Sequence, residues 1–231
     1  MIMLIAAGAL FLGIHLVISG TRLRDAIVAG IGEGPYLGLF SLLSLGAIVF
    51  LCFAYNHAWA SADNRVVYDL GQGFRNLAIP VVAIAFLIGV PGVMMENPTS
   101  PKQQNASVRG VLRITRHPFL WGTAIWAAYH LLAAVTLASA IFFGTFVVLT
   151  LIGTRAIDAK SKRRLGDGWQ AIAAQTSNVP FAAILAGRNR FVAKEYFDWR
   201  FAAAAALFAS FLYFHHYLFG VSPFPNAWLP S

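Results

Sequence analysis

Five stretches of this chain run for the length of a membrane crossing without one Asp, Glu, Lys or Arg, and nothing else in the sequence restricts the fold as strongly. A helix rises 1.5 Å per residue, so roughly 20 apolar residues cross about 30 Å of hydrocarbon. Residues 2–19, 36–56, 76–95 and 201–220 each suit one crossing. The fifth stretch, 117–154, is twice as long and as a single helix would measure ~57 Å, so it reads as two helices, 118–136 and 138–154, folded back near Thr136–Ser139. Backbone polar groups in lipid must be satisfied within the segment, which favours helices over isolated strands. The expected fold is therefore all-α: a polytopic integral membrane protein with about six transmembrane helices and short interfacial helices, one domain over residues 1–231. The chain is 58% hydrophobic and 11% charged, against about 25% charged for soluble domains. An ordinary water-soluble protein is excluded on that ground. Cys52 is the sole cysteine, which excludes an internal disulfide framework and a cysteine metal cluster.

The charges sort by side. Of the 17 basic residues, Arg65 and Arg75 alone fall in the segment after the second span; the other segments hold Arg22 and Arg24, then Lys102, Arg109, Arg113 and Arg116, then a basic run from Arg155 to Arg200. Basic loops stay cytoplasmic, so both termini are expected on the periplasmic face of a bacterial inner membrane. The net charge of +8 is explained by this topology, and nucleic acid is not an expected partner. The first span lacks a basic n-region and a small-residue cleavage site, so it reads as a retained helix. In the long polar stretch 155–200, residues 168–174 and 180–185 read as interfacial helices, with Trp169, Phe181 and Trp199 at headgroup level.

With carboxylates absent from the apolar stretches, the chemistry inside the bilayer falls to imidazoles: His15, His57, His117, His130, His215 and His216. An ionisable group in lipid is costly and is a functional candidate by default, although an imidazole bonded across helices is the ordinary alternative. His15 shares a face with Gly8, Phe11 and Ser19; His130 shares one with Thr123 and Ala127. Small residues beside an imidazole let a helix or a flat cofactor approach. A closed zinc site lacks its further ligands here, whereas haem iron needs one or two axial imidazoles and an apolar slot. His15 and His130 are thus the candidate metal ligands, with His130 pairing with His215 or His216, or a single imidazole, as alternatives. Arg113, Arg116 and His117 precede Pro118 at a helix start, a place that suits an anion such as phosphate or a haem propionate, or equally a plain topology signal. His215 and His216 read as interfacial packing, and His57 as a wet helix end.

Several motifs, taken in order, resemble the NnrU family of bacterial membrane proteins: Phe11-Leu12-Gly13-Ile14-His15; Gly32-Glu33-Gly34-Pro35-Tyr36 with Leu39-Phe40-Ser41; Thr115-Arg116-His117-Pro118 with Trp121-Gly122 and Ala128-Tyr129-His130; and Thr176-Ser177-Asn178-Val179-Pro180-Phe181. The resemblance implies a link to denitrification and nitric oxide metabolism. It extends to the plant 15-cis-zeta-carotene isomerases, membrane haem b proteins that isomerise a cis double bond, and implies haem ligation at positions equivalent to His15 and His130. Plant histidines also match His57 and His117, while a further one falls near Leu149, where this sequence has none.

The expected function is a membrane haem b protein in nitric oxide-linked redox chemistry or redox-dependent isomerisation of a lipophilic polyene. Its expected partners are the bilayer, a lipophilic small molecule or nitric oxide, and a membrane redox protein. His15 and His130 would hold the iron, with His117, Arg116 and Arg113 contributing to cofactor binding. The alternatives are a non-catalytic assembly or regulatory factor and a methyltransferase using Arg116-His117-Pro118, for which Glu195 and Asp198 are the only acidic residues near the second motif.

Overall fold

A computed structural model describes residues 1–100 and 107–224. Lys102, counted above among the basic residues, lies outside them. The chain forms α1 (Ile2–Leu12), continued by a π-helical turn at Gly13–Ile18, then α2 (Arg22–Ile31) and α3 (Glu33–Trp59). A strand β1 (Val66–Asp69) and short α4 (Gln72–Arg75) lead to α5 (Ala78–Met94). After α6 (Val111–Ile114) come α7 (Pro118–Ala133), β2 (Ala134–Thr136) and α8 (Leu137–Leu165). The polar stretch supplies α9 (Gly168–Gln175), α10 (Ala182–Leu185) and a 3₁₀ turn at Ala193–Tyr196 before α11 (Trp199–Phe219).

The all-α membrane architecture holds, with two local departures. Among the described residues four helices are long and apolar enough to cross a membrane, or five if the rod Ile2–Ile18 and α2, bent by 76°, form one span. At 16 residues α7 falls short of a full crossing because the chain leaves the helix early: Ala134–Thr136 pairs antiparallel with Val66–Asp69 as a two-stranded ribbon. The turn back is where the sequence put it. Thr136 caps α8 by accepting from Ser139 N–H, and Asn64 Oδ1 accepts from Ala138 N–H. The helix then runs eleven residues past the predicted end at 154, carrying Asp158 and Lys160 out of the apolar zone on a rigid rod.

Neighbouring helices pack in the order α3, α1, α8, α7, α5, α11, with α3 also touching α8. Lipid-like surroundings give little hydrophobic drive between helices, so small residues permit the approach. A Cβ on Gly122 of α7 would sit 2.6 Å from the Ala85 carbonyl and 2.7 Å from Gly89 Cα of α5. One on Gly92 would strike the Pro118 ring. Across the α1–α8 seam a Cβ on Gly8 would meet Thr145 Oγ1 at 2.8 Å. Leu4, Ala7, Phe11, Leu51, Ala54 and Phe142 form the core between α1, α3 and α8. The outer surface is apolar instead: Leu42, Phe53, Tyr217 and Phe219 are all exposed, an arrangement suited to acyl chains.

Candidate functional site

The basic end of the bundle is built by two of the recognised motifs folding onto each other. Thr115-Arg116-His117-Pro118 enters α7, and Thr176–Phe181 lies against it: Arg116 N–H donates to Ser177 O at 3.0 Å, Thr115 Oγ1 to Asn178 O at 2.6 Å, and Phe181 N–H to Ile114 O at 2.8 Å. That last bond holds Phe181 at φ 64°, a left-handed backbone unusual for an aromatic residue. Asp158, delivered by the extended α8, sits at the centre. It accepts from Arg116 Nε and from His117 Nε2, each at 2.7 Å, and from Asn178 Nδ2 at 3.2 Å. Trp121 Nε1 donates to Asn178 Oδ1, and the Trp169 ring lies under the Arg116 guanidinium. His117 is almost wholly buried.

A second carboxylate closes the neighbouring cation. Glu195 accepts from Arg113 Nε and Nη2, both at 2.8 Å, and from Gly110 N–H at 2.6 Å, while Arg113 Nη1 donates to Asn189 Oδ1. The hydrogen bond from Arg113 holds the Glu195 carboxyl below its ordinary value against a desolvation that raises it. Burial followed by the Glu195 charge pushes the Tyr196 hydroxyl up to about 12. Arg113, Arg116 and His117 are thus brought together, but with internal carboxylates as their partners. Sequence reasoning missed Asp158 and Glu195 as those partners; for Asp158 the available signal was a single acid in the basic run 155–164. Glu195 and Asp198, the acids a methyltransferase reading draws on, are engaged with Arg113 and with the first turn of α11.

His15 lies in the π-helical turn, whose wider coil is marked by Ser19 N–H donating to Ile14 O. Such turns often occur at functional sites because the extra residue re-aims side chains. His15 Nδ1–H donates to Phe11 O at 2.8 Å, and His130 Nδ1–H donates to Trp126 O at 2.8 Å. In both, the imidazole is oriented by a carbonyl four residues back and its Nε2 is left without a hydrogen bond among the described residues. A carbonyl on Nδ1–H fixes the tautomer in which Nε2 carries a lone pair, free to accept a hydrogen bond or to ligate a metal.

The two rings do not meet. Phe11, Phe146 and Trp126 stand in succession between them, with adjacent ring centroids 4.4 to 5.7 Å apart from His15 through to His130. His130 stacks on Phe143, while His15 packs on Phe11 and against Phe40. Among the described residues no three His, Cys, Asp or Glu side chains gather as a metal site. His57 is exposed at the end of α3; His215 donates to Val221 O beyond α11, and His216 is exposed.

His15 does open onto space. A cleft of about 530 Å³ lies between α1, α3, α7 and α8, a volume in the range of small-molecule sites. Phe11, Ser44, Ile48, Leu120 and Gly153 line it, and Lys160 stands at one end. Ser44 Oγ is buried there without a hydrogen-bond partner among the described residues.

The chain is similar to two curated plant proteins. It is 27% identical over 216 residues to 15-cis-zeta-carotene isomerase, chloroplastic, of Zea mays, covering 89% of this chain and 58% of that protein. It is 31% identical over 175 residues to the Arabidopsis thaliana protein of the same name, covering 72% of this chain and 46% of the relative. The chain thus spans about half the length of the curated relatives it matches. No solved structure matches it. Residues 3–223 match the family described as NnrU protein, and the chain belongs to that family.

Proposed function

We propose that the protein is a membrane isomerase of a lipophilic polyene, with the cleft beside His15 as its substrate site and haem b as its redox cofactor. The carrying observation is the cleft itself: an apolar space among four helices in a protein whose relatives are named as carotene isomerases. An extended hydrocarbon partitions into the bilayer and would reach such a site from the lipid phase without crossing water.

The donor chemistry fits a haem with one qualification. Each of His15 and His130 presents an oriented imidazole that would hold haem iron, but the intervening rings separate them in this arrangement. His15 has open space beside it and is the better single ligand; His130 has Phe143 and Trp126 packed on its faces. A bound haem would supply one-electron chemistry and an exchangeable coordination position. The protein's own part is to orient the imidazole through Phe11 O, keep water away with Phe11 and Phe146, and position the polyene along α8. Nitric oxide and a membrane redox partner enter this reading only through the haem. We place the basic end, with Arg113, Arg116 and Arg164, on the cytoplasmic side.

The test is the visible spectrum of protein purified from a haem-sufficient host. A Soret band that disappears in His15→Ala and is altered in His130→Ala supports the cofactor. A wild-type protein with no Soret band, even after haemin is supplied, removes it. Conversion of a cis-polyene by the reduced wild-type protein, absent from the His15→Ala variant, tests the activity.

A further inference from the structure

The apolar cleft ends on a cation that the protein leaves unmatched. Lys160 lines it at the end nearest the basic surface, half-buried, and forms no salt bridge among the described residues. Its electrostatic surroundings are mostly of its own sign: Arg24, Arg163 and Arg164 repel it and Asp25 alone attracts it. Asp25 is itself taken by Arg24 at 3.5 Å, and Glu33 by the same guanidinium at 3.3 Å. Elsewhere at this end the partly buried cations have been given carboxylates, Arg113 by Glu195 and Arg116 by Asp158. A cation placed half out of water among like charges, at the mouth of an apolar cleft, is stabilised by an anion arriving from outside.

We infer that the cleft takes an acid-headed lipophile: a polyene or isoprenoid chain lying along α8 past His15, with a terminal carboxylate or phosphate on Lys160. From Phe146 to Lys160 the groove follows α8 for roughly 21 Å, long enough for an extended chain. Its walls are apolar except for His15, Ser19, Ser44, Thr123 and Thr150, and the hydroxyls of Thr123 and Thr150 are already spent on the Phe119 and Phe146 carbonyls. The charge that discriminates therefore lies at the rim, while the tail is held by burial alone. The inference rests on the proposed cleft being where the lipophile binds, and it narrows that ligand from any lipophilic polyene to one with an anionic head.

The probes are cis-parinaric acid, a conjugated polyene that fluoresces in apolar sites, and its neutral methyl ester. Both are titrated into protein in nanodiscs of zwitterionic lipid, with empty nanodiscs subtracted. Wild type should bind the acid about tenfold more tightly than the ester, the scale of one charge-assisted contact. Lys160→Gln should bring the acid to the level of the ester and leave the ester unchanged; Lys160→Arg should restore the preference; Lys162→Gln, an exposed neighbour outside the cleft, should keep it. Gly153→Leu should lose both probes, since a side chain there enters open cleft, with its nearest neighbour, Leu120 Cδ1, 3.8 Å from the new Cβ. Equal binding of acid and ester, or a preference that survives Lys160→Gln, overturns the inference. So does a Lys160→Gln defect confined to retention of haemin, whose carboxylates offer the same chemistry. None of these measurements needs haem or turnover. A protein that proves to be haem-free and without isomerase activity, yet shows the Lys160-dependent preference, would remove the proposed function and leave this inference standing.

Discussion

His117 Nε2 donates to Asp158 Oδ1 across 2.7 Å, joining the start of α7 to the far end of α8, 41 positions later in the chain. The same carboxylate neutralises Arg116 and orders Asn178, so one side chain fastens the hairpin to the loop that follows it.

Removing that carboxylate leaves a guanidinium and an imidazole facing each other in a half-dry site. Asp158→Ala should destabilise the protein by about 3 kcal/mol or more, the usual result of stripping one partner from a buried pair. Asp158→Asn keeps the shape and should cost less. Thermal unfolding in detergent, followed by tryptophan fluorescence, measures both; an Asp158→Ala protein as stable as wild type would show that the motif is not fastened there.

The approach of α5 to α7 depends on Gly122 lying against Gly89 and on Gly92 lying against Pro118. Gly122→Ala and Gly92→Ala should each cost about 1–3 kcal/mol, because the new methyl meets backbone or the Pro118 ring at well under contact distance. Gly38→Ala and Gly46→Ala lie on α3 with nothing within 4 Å and should be neutral or slightly stabilising. The same unfolding assay separates the two classes.

Glu195 gives the basic end an acid limit. Its carboxyl is held below the ordinary glutamate value by Arg113 and the Gly110 N–H, so its stabilisation is complete above the unfolded value of about 4.5 and is lost as pH falls through the lower folded value. Wild type should therefore lose stability more steeply than Glu195→Gln on going from pH 5 to pH 3. Parallel acid curves for the two proteins would contradict this.

His15 is the imidazole with room beside it. If haem binds there, the band lost in His15→Ala should return on adding free imidazole, which fits the vacated space, whereas His130→Ala should respond little because Phe143 and Trp126 pack around that position. Rescue is read from the Soret band, and a mutant that recovers equally at both positions would argue against a difference between them.

Much of the fold was legible because lipid removes choices. Charge-free runs of membrane length become helices, the 117–154 run could only fold back, and Thr136 marked the place. What escaped were effects of residues far apart in sequence. Val66–Asp69 pairs with Ala134–Thr136 only once α5 and α7 stand side by side, so nothing local forecasts the strand that shortens α7. Asp158 was hidden for the same reason: within a run of basic residues it reads as topology noise until α8 carries it to His117. His15 and His130 each have a ring oriented by a carbonyl one turn back, but the aromatic rings between them came from α1, α7 and α8 together.

The π turn has a consequence for the register of the first helix. Leu4, Ala7 and Phe11 keep ordinary helical spacing into the core, and the wide coil at Gly13–Ile18 then absorbs one surplus residue before the chain bends at Gly20. Each residue of an α-helix turns the chain by about 100°. Excising one position from that coil would tighten it and swing the imidazole round relative to the anchored upper half, shutting the cleft off from its nitrogen while leaving every other helix seated.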